Sequence, residues 1–238
     1  MNTNERIKKI SRKYLIIILL LCAIIVTGTL YALFSDTSSI DVNSTSGSLH
    51  LNKNGETKTR YYIAGSTEQS TPYTETVSNL KPNDIIDIGF VVTNAGNVSA
   101  YTRDRVVLTV SVNNPTDMPT DIPNMLVVYV YNSANPVAQR ANIRAGNDSA
   151  YTKITLVKNN TLSTVATFVY EYKSTAHAII NGVGIGAEIE TGGVSSFNTR
   201  YLLYFNNAAS TAYQKVSIKY EVTVEAIQYR NNATENWV

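Results

Sequence analysis

The chain has 238 residues, 44% of them apolar, with Lys+Arg 20 against Asp+Glu 18 and a formal net charge of +2. Such a length suits one large domain or two small ones, and so even a charge balance gives no footing for nucleic-acid binding. The sole cysteine, Cys22, excludes an intrachain disulfide, so stability must come from packing.

In chain order, the first element is a basic head of Arg6, Lys8, Lys9, Arg12 and Lys13, followed by an unbroken apolar run from Leu15 to Val26. A charged n-region, a short apolar h-region and a small-residue exit make a secretory signal helix, residues 1–32. Ala32 closes the run and the polar Ser35-Asp36 follows at once, so cleavage is expected between Ala32 and Leu33. The alternative is a retained anchor. Leu15 to Phe34 reaches the roughly 20 residues of a spanning helix if Thr27, Gly28, Thr29 and Tyr31 are tolerated. A lipoprotein signal would want a small residue before Cys22, and Leu21 is not one. The first 32 residues hold five of the 20 basic side chains and one of the 18 acidic ones, leaving 15 against 17 for the remainder, a net −2. The basic excess therefore belongs to the targeting segment.

Residues 33–46 form a polar, Ser/Thr-rich stretch with apolar anchors at Phe34, Ile40 and Val42, too few to fold alone. It reads as a flexible segment and a candidate donor strand, with Phe34, Ser35, Asp36, Ile40 and Val42 contacting the open sheet edge of a neighbouring subunit. Backbone hydrogen bonds alone do not offset the entropy of ordering it, so the acceptor must also offer apolar grooves. A disordered linker is the other reading.

From residue 47 to 238 the texture is uniform, rich in Val, Ile, Thr, Ser, Asn and Tyr. Val216, Ile218, Tyr220, Val222, Val224 and Ala226 alternate with Ser217, Lys219, Glu221, Thr223 and Glu225, the period of a half-buried strand. Similar runs lie at 85–93, 106–112, 125–131, 152–157, 164–172 and 196–205. Turn clusters separate them: KPND (81–84), NAGN (94–97), the Pro-rich stretch 113–124, AGND (145–148), KNN (158–160) and the Gly-rich stretch 181–193. Strands at this spacing with no helical pattern between them predict an all-β fold, a jelly-roll-like antiparallel β-sandwich, as a single domain.

Chemistry-bearing motifs are sparse, and no catalytic residue, cofactor or metal site is assigned. His50 and His177 stand far apart with no metal-ligand spacing, and no G-x-S-x-G elbow occurs. GVGIG (182–186) lacks the strand–loop–helix context of a phosphate-binding turn. Asp84 with Asp87, or Asp117 with Asp121, could touch a calcium ion, against the commoner role of Asp in capping turns.

The stretch 28–51 resembles the signal-exit signature of the TasA–camelysin family. Gly28-Thr29, Ala32, Phe34-Ser35-Asp36 and Ser46-Gly47-Ser48-Leu49-His50-Leu51 fill the family's places. LKPND (80–84), FVVTNAGNVSAY (90–101) and VTVEAIQYRNNATENW (222–237) are similar to further family blocks. Asn83 stands where the family has Gly, His50 where Asp is common, and residues 113–200 match no part of the pattern. The resemblance implies a jelly-roll subunit cut by a SipW-type signal peptidase and exported to the cell surface or extracellular matrix. There it would polymerise with itself into biofilm fibres, with an accessory protein to seed or anchor them. Some family members have been called metalloproteases, a label for which this sequence offers no ligands. A monomeric or membrane-anchored adhesin, binding through loops 113–124 and 181–193, is the alternative; a secreted protease is a third reading.

Overall fold

The computed structural model describes residues 35–37, 50–65, 67–74, 76–77, 80–96, 99–175, 177–179, 196–209 and 211–228. Its strands make two antiparallel sheets packed together, the all-β sandwich expected from the alternation. One sheet runs in the order β1 (Ser35–Thr37), β13 (Val216–Gln228), β6 (Ala100–Val112), β10 (Thr167–Lys173) and β9 (Val157–Lys158). In it β4 (Thr76–Val77) also pairs with β13, and β11 (His177–Ile179) with β6. The other runs β3 (Thr67–Pro72), β2 (Leu51–Ala64), β5 (Ile85–Asn94), β12 (Ser196–Phe205), β7 (Leu126–Val130) and β8 (Lys153–Ile154). The expected signal helix at 1–32 and the Gly-rich stretch 181–193 lie outside the described residues.

Period two carries the core. Along β6 every second residue from Ala100 to Val112 is buried, and on β13 Val216, Ile218, Tyr220, Val222, Val224 and Ala226 face the same way. They meet Ile86, Ile88, Phe90 and Val92 of β5 and Tyr201, Leu203 and Phe205 of β12 in one cluster, which Leu51 joins at the start of β2. Removing that apolar surface from water is the main stabilising term.

A strand expected over 152–157 is instead two, β8 and β9, which end up at edges of different sheets. A helix that the alternation did not announce covers the outer face of the second sheet at Pro136–Arg144. Its end signals are local. The Asn135 side chain accepts from the Ala138 N–H at 3.2 Å and Pro136 opens the first turn. Gly146, at φ 74°, stops it, with Asn147 N–H reaching the Asn142 carbonyl at 2.9 Å. Its docking is mostly polar, which is why no apolar stripe marks it. Gln139 donates to the Val130 carbonyl and accepts from Asn132 N–H, both at 2.8 Å. Arg140 and Arg144 share the Glu68 carboxylate, and Arg140 stacks 3.8 Å over the Tyr61 ring. Only Ile143 adds a buried apolar side chain, against Ile85, Tyr129, Leu202 and Tyr204. Because both faces of β5 are covered, Ile85 to Phe90 are all buried.

The turn at 80–84 explains the Asn83 departure. Asn83 has φ 75° after Pro82, the pattern of a type II turn, where Gly is otherwise preferred. Its side chain accepts from the Tyr204 hydroxyl at 3.0 Å and its carbonyl from Arg144 Nε at 2.9 Å, the first a bond that Gly could not make.

Candidate functional site: the free edge of β13

β13 is 13 residues long, and three separate elements close parts of its side away from β6. At one end β4 pairs Val77 with Ile218 and Thr76 with Lys219. Next, the buried Tyr73 hydroxyl accepts from the Tyr220 N–H at 2.9 Å and donates to the Tyr220 carbonyl at 3.3 Å. At the far end β1 runs antiparallel, with Ser35 opposite Ile227, Asp36 opposite Ala226 and Thr37 opposite Glu225. Since Tyr220 turns its backbone groups to this edge, Val222 and Val224 do so too. Among the described residues no strand pairs with this side of Glu221–Val224.

The inner wall below that stretch is apolar, formed by Val222, Val224 and Ala226, all almost fully buried. The outer face is charged. Glu225 takes Arg103 at 2.7 Å and lies 3.6 Å from Arg105 Nε, while Arg105 also pairs with Glu171. Burial pushes the Glu171 carboxyl up, but the Asn159 amide and the Arg105 guanidinium outweigh it and hold it below its ordinary value. Burial pushes the Tyr220 phenol well above its ordinary value, and its hydroxyl has no hydrogen-bond partner in the core.

Of the residues singled out in the sequence, Ser35 and Asp36 are on β1 and so already form a strand rather than a free tail. Ala32, Leu33, Phe34, Ile40 and Val42 lie outside the described residues. The four calcium candidates are engaged otherwise. Arg60 pairs with Asp84, which also accepts from Lys81 N–H at 2.8 Å. Arg200 clamps Asp87 through two bonds of 2.8 and 2.6 Å. Lys215 holds Asp117 at 2.8 Å and the Tyr213 hydroxyl donates to Asp121 at 3.0 Å. Among the described residues no group of three His, Cys, Asp or Glu side chains could hold a metal ion. His50 serves the fold through its carbonyl, which accepts from Ala95 and Gly96. Tyr73 was not legible: it sits in the polar run STPYTET, where nothing marks it as buried.

A scan of protein-family models and a search of curated proteins return no match to this chain.

Proposed function

We propose that the chain is exported, cut after Ala32 by a SipW-type peptidase, and assembled outside the cell as a structural subunit of biofilm-matrix fibres. Each copy adds residues 33–46 as a strand to the β13 edge of the next. The observation that carries this reading is the register of β1, whose three residues lie on β13 beside Glu221–Val224, a stretch with which no described strand pairs on this side. A donor segment that keeps this register sets residue 38 opposite Val224 and Ile40 opposite Val222. Ile40 then enters over the apolar wall of β13, and Tyr73 limits how far the strand can run. The same pairing made within one chain closes the edge of a lone subunit, and made between chains it extends a head-to-tail polymer.

The resemblance of residues 28–51 to the TasA–camelysin exit signature supports the same conclusion. Fibre formation by negative-stain microscopy, beside circular dichroism, tests it for three proteins without residues 1–32: the natural chain from Leu33, a chain that also lacks residues 33–43, and the double variant Ile40→Asp, Val42→Asp. Fibres from the first alone, with all three folded, are expected, because an unpaired carboxylate in an apolar groove costs several kcal/mol. Fibres from all three would defeat the proposal. Folded monomers from all three would favour the adhesin reading.

A further inference from the structure

We infer that Asn54 is a modification site: without an enzyme, its side-chain amide is lost by ring closure onto the Gly55 nitrogen, leaving aspartate or isoaspartate in β2. Among the described residues Asn54 is the one asparagine followed by Gly. The Gly55 nitrogen gives its proton to solvent and bonds to Asn54 Cγ. The Cγ–Nδ2 bond breaks, and the amide leaves as ammonia with a proton from solvent. One water then opens the succinimide. Breaking the new Cγ–N bond gives aspartate; breaking the original peptide bond gives isoaspartate, with Cγ now in the main chain. The balance is amide plus water to acid plus ammonia.

A paired strand resists this reaction, because ring closure needs the Asn54–Gly55 link to rotate out of the extended form. Here the pairing is one-sided and interrupted. β3 pairs with β2 only from Thr59 onward, so among the described residues no strand pairs with the far side of Leu51–Thr57. On the near side β2 slips register against β5, with Asn54 opposite Val91 but Thr57 opposite Gly89. Gly55 sits in that bulge at φ 60°, a conformation that costs Gly little. An edge held this way opens locally at small cost.

Access and anchoring point the same way. Asn52 to Glu56 are all exposed, and nothing lies within 4 Å of where a Cβ on Gly55 would stand. Among the described residues a single contact holds the Asn54 amide, from Nδ2 to Thr93 Oγ1 at 3.4 Å, long for a hydrogen bond. Either product sets a carboxylate next to Lys53, which with Lys58 already shares Glu56. Isoaspartate also adds an atom to the main chain, so Leu51–Asn54 cannot keep its register with Val91–Asn94. Ageing would therefore loosen the start of the second sheet, independently of assembly at β13.

Peptide mapping by mass spectrometry tests the site on folded protein aged at mildly alkaline pH, with isoaspartate read by methyltransferase labelling. The expected result is conversion of Asn54 at least about tenfold faster than that of any other described asparagine. The folded rate should also fall no more than about tenfold below that of the same chain held in urea. Gly55→Ala, whose methyl crowds the attacking nitrogen, should slow the reaction at least about tenfold, both folded and in urea, where the bulge plays no part. An Asn54 amide that persists, a folded rate lower than that limit, or an unchanged rate in Gly55→Ala would overturn the inference.

Discussion

The Tyr73 hydroxyl both accepts from and donates to the backbone of Tyr220, so a side chain 147 residues away takes the place of a paired strand. Edge strands invite pairing, and natural sheets close or blunt them. Here the closure is piecemeal, by β4, a tyrosine and β1, and among the described residues no strand pairs with this side of Glu221–Val224. That stretch is where the account places the incoming strand.

The two tyrosines give opposite expectations. Tyr73→Phe leaves the buried Tyr220 N–H and C=O without partners and should cost about 1–3 kcal/mol, a fall in Tm of several degrees by calorimetry. Tyr220→Phe removes a buried hydroxyl that has no partner and should be neutral or mildly stabilising. An unchanged Tm for Tyr73→Phe, or a large loss for Tyr220→Phe, would contradict this description of the edge.

Gly89 faces Arg200 across β5 and β12, and a Cβ there would lie 2.3 Å from Arg200 Cγ and 2.7 Å from its Cβ. The missing side chain lets Arg200 lie flat and reach the fully buried Asp87 carboxylate. Gly89→Ala should displace Arg200 and strand that carboxylate, at a cost of about 3–5 kcal/mol. Urea unfolding measures it. A change within about 0.5 kcal/mol would mean the pair re-forms around a methyl group.

Glu68 should carry part of the acid sensitivity. Burial raises its carboxyl, but the bonds from Arg140 and Arg144 dominate and leave it below its ordinary value of 4.5. A carboxyl lowered in the folded state favours folding while ionised. Its contribution is fully present above the ordinary value and disappears as pH falls through the folded value. Between neutral pH and pH 3, Glu68→Gln should therefore lose less stability than the natural chain. Parallel pH–stability curves for the two would contradict the assignment.

Much of the fold was legible because burial here follows period two. The alternation of β13 and the run 196–205 reads directly as strands, and the core alternation of β6 extends it to Ala100. The Pro136–Arg144 helix escaped because Glu68, Gln139 and two arginines dock it rather than an apolar stripe, although Asn135-Pro136 and Gly146 are ordinary helix-end signals. The acidic pairs left calcium open as a reading beside turn capping, since the partners Arg60 and Arg200 of Asp84 and Asp87 lie far off in sequence. Residues 33–46 read as a polar stretch with spaced anchors. The strand that Ser35–Thr37 pairs with did not read from the sequence, because register depends on how the two sheets fold.

The most direct test of assembly uses the β1 register itself. Thr37 faces Glu225 in the pairing, a spacing that suits a disulfide. Chains starting at Leu33 carry no cysteine of their own. Thr37→Cys chains and Glu225→Cys chains are mixed under assembly conditions and oxidised. The account predicts a mixed disulfide dimer that forms only in the mixture. It would be contradicted by the absence of that dimer, with the doubly substituted chain instead closing the bond internally as a monomer.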